Sequence, residues 1–238
     1  LYNSVEVYYP LDVATDSSGN VYVLEYHNNR IKVFDSSGAY LRSFGGYGSG
    51  CTRWKYARQF AIYNDRIYLA DTYGNRIKVL SLSGGCIYDV RSQYTYPHAI
   101  AVAPSYVYVG HPSTRISMYA PNGMYIAHAM YVSNLSYSWG MSVNSTNNKL
   151  IIADYNKNRI VEFTMSSGYN LVYSQATSGS FSTSNGYFRR PTDAAYDSSG
   201  NIYALDLYGH RLQKFNSSLT YQAKTGSYST SSGFRYPY

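Results

Sequence analysis

Glutamate is almost missing from this chain of 238 residues: only Glu6, Glu25 and Glu162 occur. Charged residues of both signs make up just 14%, against the quarter usual in globular domains. Long helices lean on Glu and Lys, so the balance excludes a mainly helical protein. No run of 18 apolar residues is present, which excludes a membrane-spanning helix. A signal-like leader is missing and the first residue is Leu1, as expected of a mature product or a fragment. Cysteine is scarce. Cys51 and Cys86 fit no metal-binding spacing and allow one disulfide in an oxidising compartment. No glycine-rich phosphate loop, Ser-His-Asp set or cysteine nucleophile can be assigned.

Tyrosine is what the chain has instead, with 31 copies alongside abundant Ser, Gly and Asn. Tyr, Val, Ile, Phe and Thr favour strands, so the composition points to an all-β protein. Tyr and Ser stand where Lys and Glu usually cover a surface, and this suggests an extracellular or cell-surface setting. Three Asn-x-Ser/Thr triplets, at Asn134, Asn144 and Asn216, fit glycosylation there, although a chain rich in Ser and Asn also forms such triplets by chance. The net charge of +7 suits nucleic acid, anionic glycans or acidic surfaces as partners.

Internal repetition organises the whole chain. Glu25-Tyr-His-Asn-Asn-Arg30-Ile-Lys-Val-Phe34 recurs as Asp71 to Leu80, Gly110 to Tyr119, Asp154 to Phe163 and Asp206 to Phe215. The repeated arginines are Arg30, Arg76, Arg115, Arg159 and Arg211. Each unit reads as four strands. The first follows a proline-like position, as in Pro10-Leu-Asp-Val-Ala14 and Pro191-Thr-Asp-Ala-Ala195. An Asp-Ser-Ser-Gly-Asn turn, at 16–20 and 197–201, leads to a second strand that is almost wholly apolar. The third is the Arg-Ile block. A Gly/Ser-rich link follows the fourth.

Strand parity decides the architecture. Ile31 and Phe34 point to opposite faces, as do Ile160 and Phe163. A sheet apolar on both faces has to be covered on both, and small four-stranded sheets stacked on copies of themselves are propeller blades. The predicted blades span approximately 10–45, 57–91, 97–132, 138–175 and 191–225. Segments 1–9 and 226–238 are left for closure or for contacts between modules. Cys51 and Cys86 fall in different parts of a unit, which argues against their pairing.

The pattern Pro-x-Asp-(apolar)-Ala, Asp-x-x-Gly-Asn-(apolar)-Tyr-Val and Asp-x-x-x-Asn-Arg-Ile-x-x-Phe resembles the NHL repeat over nearly the whole chain. The third unit departs most, with Gly110 in place of the acid. The resemblance implies a β-propeller of antiparallel blades. Five repeats are complete, whereas most NHL propellers have six blades, so the ring has five blades or lacks a sixth. Asn3 to Val7 looks like a fourth strand, and Gly233 to Tyr238 looks like the start of another unit.

Candidate sites follow from the repeat frame. The acids five residues before four of the five repeated Arg, Glu25, Asp71, Asp154 and Asp206, read as structural partners of that Arg, because they recur. Tyr26, His27, Tyr73, His111, Tyr155, Tyr208 and His210 fall in the turns between second and third strands, a face suited to sugars, peptides or bases. Asp12, Gln59 and Asp193 share one position in the innermost strand and are expected at the channel. Arg53, Lys55, Arg58, Lys157, Arg189 and Arg190 compose a candidate basic patch.

The leading expectation is a non-enzymatic extracellular module that binds a protein or glycan, or further copies of itself in a filament, with no cofactor. One alternative is RNA binding through the basic residues, as the resemblance implies for some NHL propellers. The other is a lyase or hydrolase with calcium or zinc at the pore, as in similar propeller enzymes.

Overall fold

Strands and turns account for the regular structure of the computed structural model, which describes residues 6–131, 135–166, 170–228 and 237. A 3-10 turn at Tyr155–Lys157 is the one helical element among the described residues. The first blade comprises β1 (Pro10–Thr15), β2 (Val21–Glu25), β3 (Arg30–Phe34) and β4 (Tyr40–Gly45). The second comprises β5 (Phe60–Tyr63), β6 (Arg66–Asp71), β7 (Arg76–Ser81) and β8 (Cys86–Arg91). The third comprises β9 (Ala99–Val102), β10 (Val107–Gly110), β11 (Arg115–Tyr119) and β12 (Tyr125–Tyr131). The fourth comprises β13 (Ser138–Asn144), β14 (Lys149–Asp154), β15 (Arg159–Ser166) and β16 (Asn170–Ala176). The fifth comprises β17 (Pro191–Tyr196), β18 (Ile202–Asp206), β19 (Arg211–Phe215) and β20 (Tyr221–Thr225).

Within each sheet the strands follow one another in sequence order. These are the five four-stranded antiparallel blades of a β-propeller. Burial on both faces is what the parity requires. Leu150, Ile151, Ile152 and Ala153 are all fully buried, and so are Ile31 and Val33. Each such Leu or Ile contributes about 1.5–3 kcal/mol relative to exposure.

By contact the chain forms two units. Unit one runs to Val109 and takes in Tyr119–Tyr125; unit two holds Gly110–Met118 and the chain from Ile126 onward. In unit one, Tyr22, Leu24, Ile31 and Val33 of the first blade pack on Trp54, Phe60, Ile67 and Leu69. The other face of the second blade, with Tyr68, Ala70, Ile77 and Val79, packs on Ile100, Val107 and Val109. In unit two, Ile151 and Ile160 meet Ala194, Ile202, Ala204 and Phe215.

The first strands of blades two and three begin at Phe60 and Ala99, later than the repeat predicts. In blade two, pairing continues irregularly before the strand: Arg58 N donates to Ala70 O at 3.4 Å and Ala70 N to Gln59 O at 2.9 Å. Blades one and five carry register breaks at the same place, between Pro10 and Asp12 and between Pro191 and Asp193. Such bulges re-aim side chains. The strand-like segment 3–7, the closing segment 233–238 and the sequon at Asn134 fall wholly or largely outside the described residues.

The links between blades are tied down by the repeated acids. Glu25 accepts the Tyr8 amide at 2.6 Å, Asp71 that of Lys55 at 2.7 Å and Asp206 that of Arg189 at 2.7 Å. Asp154 accepts the amides of Ser136 and Tyr137 at 3.1 and 3.2 Å. Three of the acids also hold their predicted arginines: Glu25 with Arg30, Asp154 with Arg159 at 3.3 Å and Asp206 with Arg211 at 2.9 Å. Blade two differs. Arg76 turns to Asp89, and Asp71 pairs instead with the buried Lys78 at 3.7 Å. The cause is local, since β8 is the one fourth strand that carries a carboxylate, and Asp89, opposite Lys78 in register, lies within reach of Arg76.

Cys51 and Cys86 are bonded, with Cα atoms 5.6 Å apart. The expectation of separation fails because the link folds back over the blade it leads into. Lys78 Nζ, fully buried, donates to Gly50 O at 3.1 Å. This draws Cys51 to the side of β7 that is flanked by β8, where Cys86 lies opposite Leu80.

Candidate functional site: an aromatic groove

Each blade is approached through the residue before its proline-like position, and in unit one that residue is a tyrosine. Tyr9, Tyr56 and Tyr96 have φ of 50°, 52° and 56°. A bulky side chain in this left-handed region is an outlier, and retained backbone strain of this kind clusters at working surfaces. The strain is held by the preceding blade. Asn29 Oδ1 accepts the Tyr56 amide at 2.5 Å, and Asn75 Oδ1 accepts that of Tyr96 at 2.7 Å. These asparagines precede the repeated arginine and are themselves left-handed, at φ of 51° and 53°. One residue type thus closes a turn and aims the next blade's leading ring.

The rings so placed make a continuous run in unit one. Tyr9 meets His27 at 4.7 Å between centroids, His27 meets Tyr26 at 5.0 Å, and Tyr26 meets Tyr56 at 5.3 Å. Tyr56 meets Tyr73 at 5.7 Å, and Tyr73 meets Tyr96 at 5.6 Å. Tyr26, His27, Tyr47, Lys55, Tyr56 and Tyr73 line a groove of about 590 Å³, a size ordinary for small-ligand sites. Tyr47 and Tyr73 are 59% and 50% exposed, so their faces are offered rather than packed away. The cations lie among the rings: Lys55 Nζ is 5.9 Å from the Tyr47 centroid, and the Arg58 guanidinium is 5.4 Å from that of Tyr26. Burial pushes the Tyr26 phenol up from its usual value, Arg58 opposing and Tyr73 adding.

Three of the residues expected on a binding face therefore come together: Tyr26, His27 and Tyr73. Tyr9, Tyr47, Tyr56 and Tyr96 were missed. For Tyr9, Tyr56 and Tyr96 the signal was a tyrosine one position before the proline-like residue, a feature that four units share, Tyr137 being the fourth. His111 is a correction. It is 1% exposed, and its Nε2 lies 3.0 Å from Ser117 Oγ. Ser117 occupies the buried polar position taken by Lys32 and Lys78 in other blades, and the imidazole fills the space left by the shorter side chain.

Unit two carries its own smaller cluster. Trp139 stacks on Tyr155 at 4.5 Å, and Arg190, at φ of 68°, lies 4.8 Å from the Tyr155 centroid. Asn158 Oδ1 accepts the Arg190 amide at 3.2 Å, repeating the asparagine device. Tyr208 is 40% exposed, and His210 meets Tyr228 at 4.8 Å. Arg189 lies over Phe181 at 4.7 Å, and Lys157 is half-buried in the 3-10 turn. Arg53, exposed, lies along the link in unit one with its side chain against Gly46 and Gly48.

The innermost-strand residues act between blades. Asp12 Oδ2 accepts the Phe60 amide at 2.8 Å, and Gln59 Oε1 accepts that of Ile100 at 2.9 Å. Asp193 lies against Gly140, where an added Cβ would stand 2.3 Å from Oδ1. Among the described residues no group of three or more His, Cys, Asp or Glu is placed to hold a metal ion.

The NHL repeat profile matches residues 7–34 and 188–215, each stretch running from a link through a third strand. The chain is a β-propeller that carries two NHL repeats. No curated protein sequence matches this chain. Solved structures do match. A streptogramin B lyase superposes with a TM-score of 0.71 at 14% identity, over 97% of this chain and 72% of the lyase. A chain of a nidogen/laminin complex gives 0.73 at 13% identity, over 90% of this chain and 79% of that one. A catalytically inactive virginiamycin B lyase from Staphylococcus aureus with quinupristin gives 0.66 at 15% identity, over 97% and 73%. At these identities the likeness is one of fold.

Proposed function

We propose that this propeller is a non-enzymatic binding module that receives a protein or glycan in the tyrosine groove of unit one. The observation that carries the reading is the unbroken run of rings from Tyr9 to Tyr96, set in strained backbone and largely open to solvent. Tyrosine supplies large contact area with little side-chain entropy to lose. A chain of the same fold occurs in a nidogen/laminin complex, an assembly of proteins, which supports a binding role.

An extracellular or cell-surface setting belongs to the same proposal. The Cys51–Cys86 bond supports it, as do the positions of Asn144, the last residue of β13, and Asn216, each of which caps the turn that follows it. Self-association into filaments remains an arm of this reading.

The test is a binding panel of immobilised glycans, matrix proteins, single-stranded RNA and the chain itself. It is read with the wild-type chain and a Tyr47→Ala/Tyr73→Ala double variant. Loss of two central aromatic contacts should weaken a specific ligand roughly 30-fold or more. Equal retention by the two chains, or no retention of anything, refutes the groove.

A further inference from the structure

We infer that the groove in unit one recognises an anionic saccharide, a sugar chain bearing carboxylate or sulfate groups. This rests on the reading of the groove as the binding surface, and three features of the groove carry it.

Charge comes first. None of the six residues lining the groove is acidic, and Lys55 is one of them. The nearest repeated acids, Glu25 and Asp71, are fully buried and occupied by the amides of Tyr8 and Lys55. Lys55 and Arg58 lie over ring faces, so positive charge is presented together with aromatic surface. A ligand that satisfies both carries negative groups on a scaffold with flat apolar faces.

Backbone accounting argues against an extended peptide. A peptide that adds a strand needs unpaired amides and carbonyls along an edge. Four of the six lining residues, Tyr26, Lys55, Tyr56 and Tyr73, have their amides taken, that of Lys55 by Asp71. Tyr26 N donates to Tyr9 O at 3.1 Å, Asn29 N to Tyr26 O at 3.3 Å and Tyr73 N to Lys55 O at 3.1 Å. Tyr56 N donates to Asn29 Oδ1. Recognition falls to rings, phenol hydroxyls and cations, which is the set that reads a sugar.

Ring geometry argues against stacked bases. Successive bases need successive ring platforms. The planes of Tyr9 and His27 stand at 88°, those of Tyr26 and His27 at 75°, those of Tyr56 and Tyr73 at 80° and those of Tyr73 and Tyr96 at 79°. The result is a stepped shelf of faces and edges. A sugar ring offers C–H faces to such steps and hydroxyls to the phenols between them.

The test is titration calorimetry on the full chain with three probes of equal length: an oligogalacturonide, a heparin-derived oligosaccharide and a neutral cello-oligosaccharide. Each is run at low and high salt, with the wild type, Lys55→Gln and Tyr73→Ala. Asp71 is held by the amide of Lys55 and not by its side chain, so the glutamine variant keeps the fold. The expected result is binding of an anionic probe that weakens with salt and falls about five- to tenfold in Lys55→Gln. Tyr73→Ala should weaken it as well. Preference for galacturonide or for heparin supports the inference and names carboxylate or sulfate as the group read. Equal binding of the neutral probe, or insensitivity to salt and to Lys55→Gln, overturns it. Failure of all three saccharides while a protein from the panel still needs Tyr47 and Tyr73 overturns the saccharide and leaves the groove standing. Failure of every ligand overturns both.

Discussion

Replacing the Cys51–Cys86 bond should lower stability while leaving the native structure in place. The bond joins positions 35 residues apart. Closing a loop of that length removes about 4 kcal/mol of unfolded-state entropy at 25 °C on the chain-entropy relation. The native link does not depend on the bond. Trp54 N donates to Gly46 O at 3.0 Å, Arg53 N to Gly50 O at 2.9 Å and Lys78 Nζ to Gly50 O at 3.1 Å. Trp54 is fully buried beneath Gly45. Cys51 is half-buried and Cys86 exposed, so a Cys51→Ser/Cys86→Ser variant buries no orphaned hydroxyl. Urea unfolding followed by tyrosine fluorescence should show a midpoint lowered by roughly 1–2 M, taking a slope of about 2–3 kcal/mol per molar. Near-ultraviolet circular dichroism before the transition should be unchanged. An unshifted midpoint would refute the entropy argument. A lost aromatic spectrum in the native baseline would show that the bond holds the link itself.

Two buried titrating groups should hide one another's pH dependence. Burial raises the Asp71 carboxyl from 3.8 to about 6, opposed chiefly by the Lys55 amide and Lys78. The folded chain holds that proton more tightly, so stability from this group falls as pH rises through the window. Burial lowers His98 from 6.5 to about 4, against the Tyr96 carbonyl. The unfolded chain holds that proton more tightly, so this contribution grows with pH over nearly the same range. Each amounts to roughly 3 kcal/mol at full expression. Urea midpoints should therefore fall with pH in His98→Gln and rise in Asp71→Asn; parallel curves would sink the assignment. Asn75→Ala removes both a left-handed asparagine and the bond to the Tyr96 amide, for about 2 kcal/mol, whereas Asn75→Gly keeps the turn and should lose about 1. Equal losses in thermal melts would count against the double role. Lys78→Met leaves Asp71 and Asp89 without their buried cation and should cost about 3–5 kcal/mol, read as a drop in urea midpoint. Ile152→Ala, fully buried, should cost about 2–5 kcal/mol by the same measurement.

The blades were legible because two-sided burial leaves a mark that parity reads directly: Ile31 with Phe34, Ile160 with Phe163, and the apolar run Leu150–Ala153 within β14. The turn aspartates were equally plain, since Asp16 and Asp197 each gather the amides two and four residues on. What crosses from one blade to the next was hidden. The disulfide depends on a link folding back over β7, and repeat alignment treats links as mere spacers. The pairing of Arg76 with Asp89 depends on a carboxylate that only β8 carries. His111 was placed on a face because its position lies in a turn, and only the short side chain of Ser117 explains why it turns inward. The groove was half visible: its turn tyrosines were found, whereas the residues leading into the first strands were read as ends of links.

Those leading tyrosines set stability and recognition against each other. A glycine at 9, 56 or 96 would adopt the observed backbone freely, and asparagine would adopt it nearly so. Selection for heat tolerance alone would therefore drift all three positions toward small residues, and the shelf would vanish with no change in the blades. A hardened variant from an unbiased screen should emerge robust and inert.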